Sequence, residues 1–196
     1  MDLDQSEFKK IIKFLSLENF HIDSGFDPKP IGDGQSNPTF LIRDDKKNLK
    51  VLRTQPPGNL ARGAHRVDRE FSVLKALFIK GFECPQPFVL CNNSELIGRM
   101  FYVMDFEEGD INFNPLLPNE NFQDKQKIYK SLAEVLGKLH GYDINELGLS
   151  FKKNQGFMKR NLSLWYDQIF HDESKKDKEI EKVYKDILNK LPSEAS

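Results

Sequence analysis

The chain has two cysteines, one tryptophan and almost no net charge: 29 basic against 30 acidic residues, a balance of -1. Each scarcity excludes something. Cys84 and Cys91 are too few for a disulfide scaffold, and their spacing matches no zinc pattern. They read as small buried hydrophobes near strand ends. The balanced charge leaves no basic footprint for nucleic acid or an anionic membrane surface. No apolar run is long enough to span a bilayer. Met1-Asp2-Leu3-Asp4 is acidic, unlike a secretory signal or an arginine-rich transit peptide, and Glu194-Ala195-Ser196 is not a peroxisomal tripeptide. The expectation is an intracellular, cytoplasmic chain. Internal repeats and low-complexity segments are absent as well.

What is present is a chain of 196 residues, 38% hydrophobic and 30% charged, enough for one large domain or two small lobes. Residues 4–19 read as an amphipathic helix. Asp4 and Glu7 form a capping box, and Phe8, Ile11, Ile12 and Leu15 make one apolar face. Residues 26–31 form a weak edge strand interrupted by Pro28 and Pro30. Residues 39–43 and 49–53 are strands joined by a polar turn at 44–48. Residues 65–80 form a second helix, with a buried stripe expected at Val67, Phe71, Leu74 and Phe78, and Gly81 ends it. Strands follow at 88–91 and 100–104, then an exposed acidic connector at 105–109. Three helices are expected beyond it, at 123–140, 156–170 and 178–191. The first carries Ile128, Leu132, Val135, Leu136 and Leu139 on one face.

The stretch that organises these parts runs from residue 31 to residue 70. Gly32-Asp33-Gly34-Gln35-Ser36-Asn37 lies between two strands. Glycines there let backbone N–H groups approach phosphate oxygens and adopt positive φ, and Ser36 and Asn37 add polar side chains. It is not a Walker motif, and alone it could be an ordinary hairpin turn. Arg53 ends the third strand, where nucleotide-handling lobes place a cation for phosphates and a helix acid. Glu70 is the natural acid partner and Asp68 the second candidate. The last strand and connector, with Met104, Asp105, Phe106 and Glu107, resemble a hinge that offers backbone groups to a purine. Asp105-Phe106 is not the metal-binding Asp-Phe-Gly motif, because no catalytic loop precedes it. His140-Gly141-Tyr142-Asp143 departs from the His-Gly-Asp spacing of phosphotransferases and reads as a helix C-terminus. No two histidines pair with an acid at metal-ligand spacing, so no metal site is assigned, and no catalytic residue is assigned either.

Residues 32–40, 51–58, 64–71 and 101–109, with 157–165, together resemble the aminoglycoside phosphotransferase family. The likeness is closest to the branch fused to acyl-CoA dehydrogenase family members ten and eleven. It implies an α+β, protein-kinase-like fold: a five-stranded antiparallel lobe with one packed helix (1–104), a hinge (105–109) and the first helices of a helical lobe (110–196). It further implies ATP with Mg between the lobes. Gly32, Gly34, Gln35, Ser36 and Asn37 would lie over the phosphates, Arg53 would stand for the phosphate-binding lysine with Glu70 holding it, and the backbone of Met104, Asp105, Phe106 and Glu107 would meet the adenine.

The family's catalytic loop and metal-binding Asp would follow the position of Leu191. The expectation is therefore a phosphotransferase-like domain, incomplete and inactive as given. Completed, it would act on a small-molecule hydroxyl, such as a hydroxyacyl group in fatty-acid oxidation. A downstream acyl-CoA dehydrogenase domain, and with it a mitochondrial or peroxisomal setting, belongs to that reading. The alternative is a non-catalytic module that binds nucleotide or a partner. The helices from 123 onward are expected to leave apolar surface exposed.

Overall fold

A computed structural model describes residues 3–32, 37–58, 60, 64–149, 156–170 and 177–191. The chain falls into two compact units, Met1–Leu149 and Ser150–Ser196.

In the first unit, helix α1 (Gln5–Leu17) starts at the expected capping box. The Glu7 N–H donates to Asp4 Oδ1 at 2.7 Å, and the Asp4 N–H donates to Glu7 Oε2 at 3.3 Å. Five strands follow: β1 (Lys29–Pro30), β2 (Thr39–Arg43), β3 (Leu49–Thr54), β4 (Pro87–Cys91) and β5 (Phe101–Asp105). They pair antiparallel in the order β1-β2-β3-β5-β4. β1 is shorter than the strand expected at 26–31. Proline has no N–H to give a ladder, and only Lys29 and Pro30 pair with β2.

Register decides which residues share a face, because side chains alternate along a strand. Leu52 lies opposite Phe40 and Val103, and α1 covers this face with Phe8, Ile11 and Leu15. Phe14 meets Phe101 edge-on at 5.7 Å. Arg53 lies opposite Thr39 and Tyr102 on the other face. Helix α2 (Val67–Ile79) covers that side, burying Val67 and Phe71 against Tyr102, with Leu74, Leu90 and Met104 packed around them. The sheet thus has a helix on each face, and α1 finds a docking place that its amphipathic pattern alone did not specify.

The stripe of α2 departs from expectation at its end. Leu77 is 7% exposed, whereas Phe78 is 39% exposed. The terminus explains the change. The Phe82 N–H bonds to Leu77 O and the Gly81 N–H to Phe78 O, with Gly81 at φ 79. This paired closure folds the chain back over the third residue from the cap, and an apolar contact with that residue commonly accompanies it. Cys91 is buried at the end of β4, Cys84 is half-buried before it, and both are free.

Helix α3 (Phe122–His140) is capped by Asn121 and ends at Gly141, in agreement with reading the His140 segment as a helix terminus. It contributes no buried side chain. Its stripe stands open, with Ile128 38%, Leu132 50% and Leu136 42% exposed. The second unit holds α4 (Phe157–Ile169) and α5 (Lys178–Asn189), joined by Tyr166 against Tyr184 at 4.1 Å. Among the described residues, no helix is long and apolar enough to cross a membrane.

Candidate functional site

The α2 face of the sheet gathers a polar network around one carboxylate. Glu70 sits in the first turn of α2 and Arg53 in β3 beneath it. The Arg53 Nε–H donates to Glu70 Oε2 at 2.6 Å, and its NH1 donates to Thr39 Oγ1 at 2.9 Å. The Tyr102 hydroxyl donates to Glu70 Oε2 at 3.2 Å, and Asn37 Nδ2 donates to Glu70 Oε1 at 2.8 Å. Thr39 closes the ring by donating to the Asn37 carbonyl at 3.0 Å. Burial, followed by the Glu70 carboxylate beside it, pushes the Tyr102 phenol far above its ordinary range, while Arg53 opposes the shift. Tyr102 is therefore a fixed donor.

Asp68, the other candidate acid, is turned away. It lies two residues from Glu70 on the helix and accepts from Arg66 Nε at 2.7 Å. The bond to Arg66 holds its carboxyl below the usual carboxylate range. Two residues on an α-helix are separated by more than half a turn, so only one can face the sheet.

The expected glycine turn is described at its two ends. Gly32 has φ 79, a conformation costly for other residues, and a Cβ there would meet nothing within 4 Å. Its glycine is required by backbone conformation and not by close approach. Gly34, Gln35 and Ser36 lie outside the described residues. Asn37 is 7% exposed, and both ends of its amide are engaged: Nδ2 with Glu70, and Oδ1 with His65 Nδ1 at 3.0 Å.

At the connector, Met104 lies in β5 opposite Val51 and packs under α2. Asp105 is corrected from the exposed connector to the last residue of β5. Its N–H donates to Gln86 O at 2.9 Å, and its carboxylate takes Lys50 Nζ at 2.6 Å. Lys50 is itself 9% exposed and lies 4.7 Å over the Phe88 ring. Phe106 is half-buried and Glu107 exposed.

Four members of the network escaped the sequence reading: Thr39, Tyr102, His65 and Gln55. The first two follow from register, since they flank Arg53 in the neighbouring strands. Gln55 and His65 carry no periodic signal. The Gln55 side chain donates to the His65 carbonyl at 2.9 Å and accepts from the Met100 N–H at 3.0 Å.

The chain has relatives among known proteins. The family model described as "Phosphotransferase enzyme family" matches residues 27–196. The chain belongs to that family. It is 43% identical over 136 residues to acyl-CoA dehydrogenase family member 11 of Rattus norvegicus, covering 69% of this chain and 17% of the relative. It is 42% identical over 151 residues to the Arabidopsis thaliana protein named as the probable acyl-CoA dehydrogenase IBR3, covering 74% and 18%. With family member 10 of Mus musculus it shares 34% over 169 residues, covering 86% and 16%. The chain thus spans less than a fifth of the length of each of these three relatives. A solved structure from Ralstonia eutropha, assigned as an aminoglycoside phosphotransferase, superposes with a TM-score of 0.61. The superposition covers 95% of this chain and 54% of that one, at 23% identity. That likeness establishes the protein-kinase-like α+β fold.

Proposed function

We propose that this phosphotransferase-family chain binds ATP on the α2 face of the sheet, with Arg53 receiving phosphate oxygens. One observation carries the reading. The Arg53 guanidinium points three of its N–H groups at Glu70 and Thr39, with Nε and NH1 in close bonds and NH2 at 3.5 Å from Glu70 Oε1. A guanidinium has five such donors in a planar fork. About two remain, on a side chain 28% exposed. Oriented, permanently charged donors suit phosphate.

On this reading residues 1–104 are the nucleotide-binding lobe, 105–109 the hinge and 110–196 the start of the helical lobe. The turn that carries Gly32, Gly34, Gln35 and Ser36 would supply backbone N–H groups to the phosphates. The adenine meets the backbone after β5. The N–H of Asp105 is already given to Gln86, so Phe106 and Glu107 offer the better backbone groups. Among the described residues, no three His, Cys, Asp or Glu side chains gather to hold a metal ion. The acceptor in this reading is a small-molecule hydroxyl. By analogy with the dehydrogenase-named relatives, it is a hydroxyacyl group handled by a protein that also carries a dehydrogenase domain. The open stripe of α3 suits coverage by further polypeptide.

The test is calorimetric titration of ATP, with and without magnesium, into the 196-residue chain. Binding is expected, and Arg53→Met should weaken it about ten- to hundred-fold, the worth of charge-assisted hydrogen bonds. Arg53→Lys keeps the charge but not the fork and should fall between. No heat at millimolar ATP, or an Arg53→Met affinity equal to wild type, refutes the reading.

A further inference from the structure

We propose that Asn37 and His65 form a clasp that fixes the closing end of the glycine turn onto the Arg53–Glu70 pair. Both would then be positioning residues for the phosphates, His65 acting through Asn37. The inference rests on the nucleotide reading above for its consequence, but its geometry stands independently.

Glu70 bonds to Arg53 and Tyr102, and an ionised carboxylate only accepts. The group that Asn37 presents to it must therefore be Nδ2, which leaves Oδ1 turned to His65 Nδ1 at 3.0 Å. An amide oxygen only accepts, so Nδ1 of His65 must carry the proton. The orientation of Asn37 and the tautomer of His65 are thus set by one acid, Glu70. A buried side chain with both amide ends engaged is not free to follow a ligand. It serves to hold Asn37 where Thr39 and Arg53 begin their own bonds.

His65 is held on its other side as well. It lies at φ 54, in the left-handed region, where a non-glycine residue is strained. Its carbonyl accepts from Gln55 Nε2 at 2.9 Å and from the Val67 N–H at 2.9 Å. Gln55 in turn takes the Met100 N–H, one residue before β5. The strained backbone aims the imidazole at Asn37, and the anchor runs into the sheet.

His65→Gly separates the ring from the backbone. Glycine accepts the left-handed conformation at little cost, and the carbonyl bonds to Gln55 and Val67 remain available. In the full chain, ATP affinity should fall about ten-fold, the worth of roughly one positioning hydrogen bond, while the thermal midpoint stays near that of wild type. His65→Asn tolerates the same φ and offers a donor, so it should recover part of the loss. Nitrogen-15 NMR of unmodified chain should show His65 protonated at Nδ1. An Nε2-only tautomer, or His65→Gly binding ATP as wild type does, overturns the clasp. If wild type binds no ATP, the nucleotide reading fails, and the tautomer decides the clasp alone. The same spectrum decides it if His65→Gly does not fold.

Discussion

The ion pair between Glu7 and Arg99 should respond very differently to removal of one partner than to removal of the other. Arg99, just before β5, has its side chain 3% exposed and donates from NH2 to Glu7 Oε2 at 2.7 Å. Its Nε is buried without a hydrogen-bond partner. Glu7 is 23% exposed and has a second task in the α1 capping box. Glu7→Ala leaves a guanidinium only 3% exposed without its acid. Breaking such a pair costs about 3–5 kcal/mol, and loss of half the capping box adds a few tenths. At about 2–4 °C per kcal/mol for a chain of this size, the thermal midpoint should drop by roughly 10 °C. Arg99→Met keeps the stem volume and removes the charge together with the unpaired Nε. The acid it leaves behind can turn to solvent and still accept from the Asp4 N–H. That variant should lie within about 1 kcal/mol of wild type. Urea titrations followed by circular dichroism measure both, and Glu7→Ala combined with Arg99→Met should regain most of the Glu7→Ala loss. If Arg99→Met is as damaging as Glu7→Ala, the burial argument is wrong and the pair is a true source of stability.

Two further outcomes are expected. Asp23 accepts from Lys47 Nζ at 2.7 Å and Arg43 Nε at 2.8 Å, and Lys47, the Gly25 N–H and Arg43 hold its carboxyl down at about 2. Its folded value lies below its unfolded value of 3.8, so its contribution is complete above 3.8 and fades as pH falls through about 2. A carboxylate titration by NMR should find that value, and Asp23→Asn should flatten the loss of stability over that window. Gly81→Ala should cost about 1 kcal/mol in a denaturant melt. Nothing lies within 4 Å of the added Cβ, so the whole effect comes from φ 79.

Local signals made much of this fold legible. Asp4 with Glu7, Gly81 after an apolar stripe, and five short strand-like segments place α1, α2 and the sheet to within a few residues. Arg53 and Glu70 were readable because each ends or opens an element whose period was clear. What stayed hidden depends on contacts between segments distant in sequence. Tyr102 becomes a partner of Glu70 only once β5 is known to lie beside β3. Gln55 and His65 sit in irregular chain, where neither period two nor period 3.6 marks a buried side. Asp105 read as part of a charged connector because its neighbours are acidic. Lys50, 55 residues away, makes it part of the strand.

That last bond bears on movement. Asp105 is clamped twice, through its N–H to Gln86 and through its carboxylate to a lysine lodged on the α1 side of the sheet. The proposed hinge would therefore have its fulcrum at Phe106 and not at the strand end. The lever arm begins one residue later than the acidic run suggests. Lys50→Met would release one of the two clamps and leave Asp105 held by its backbone alone.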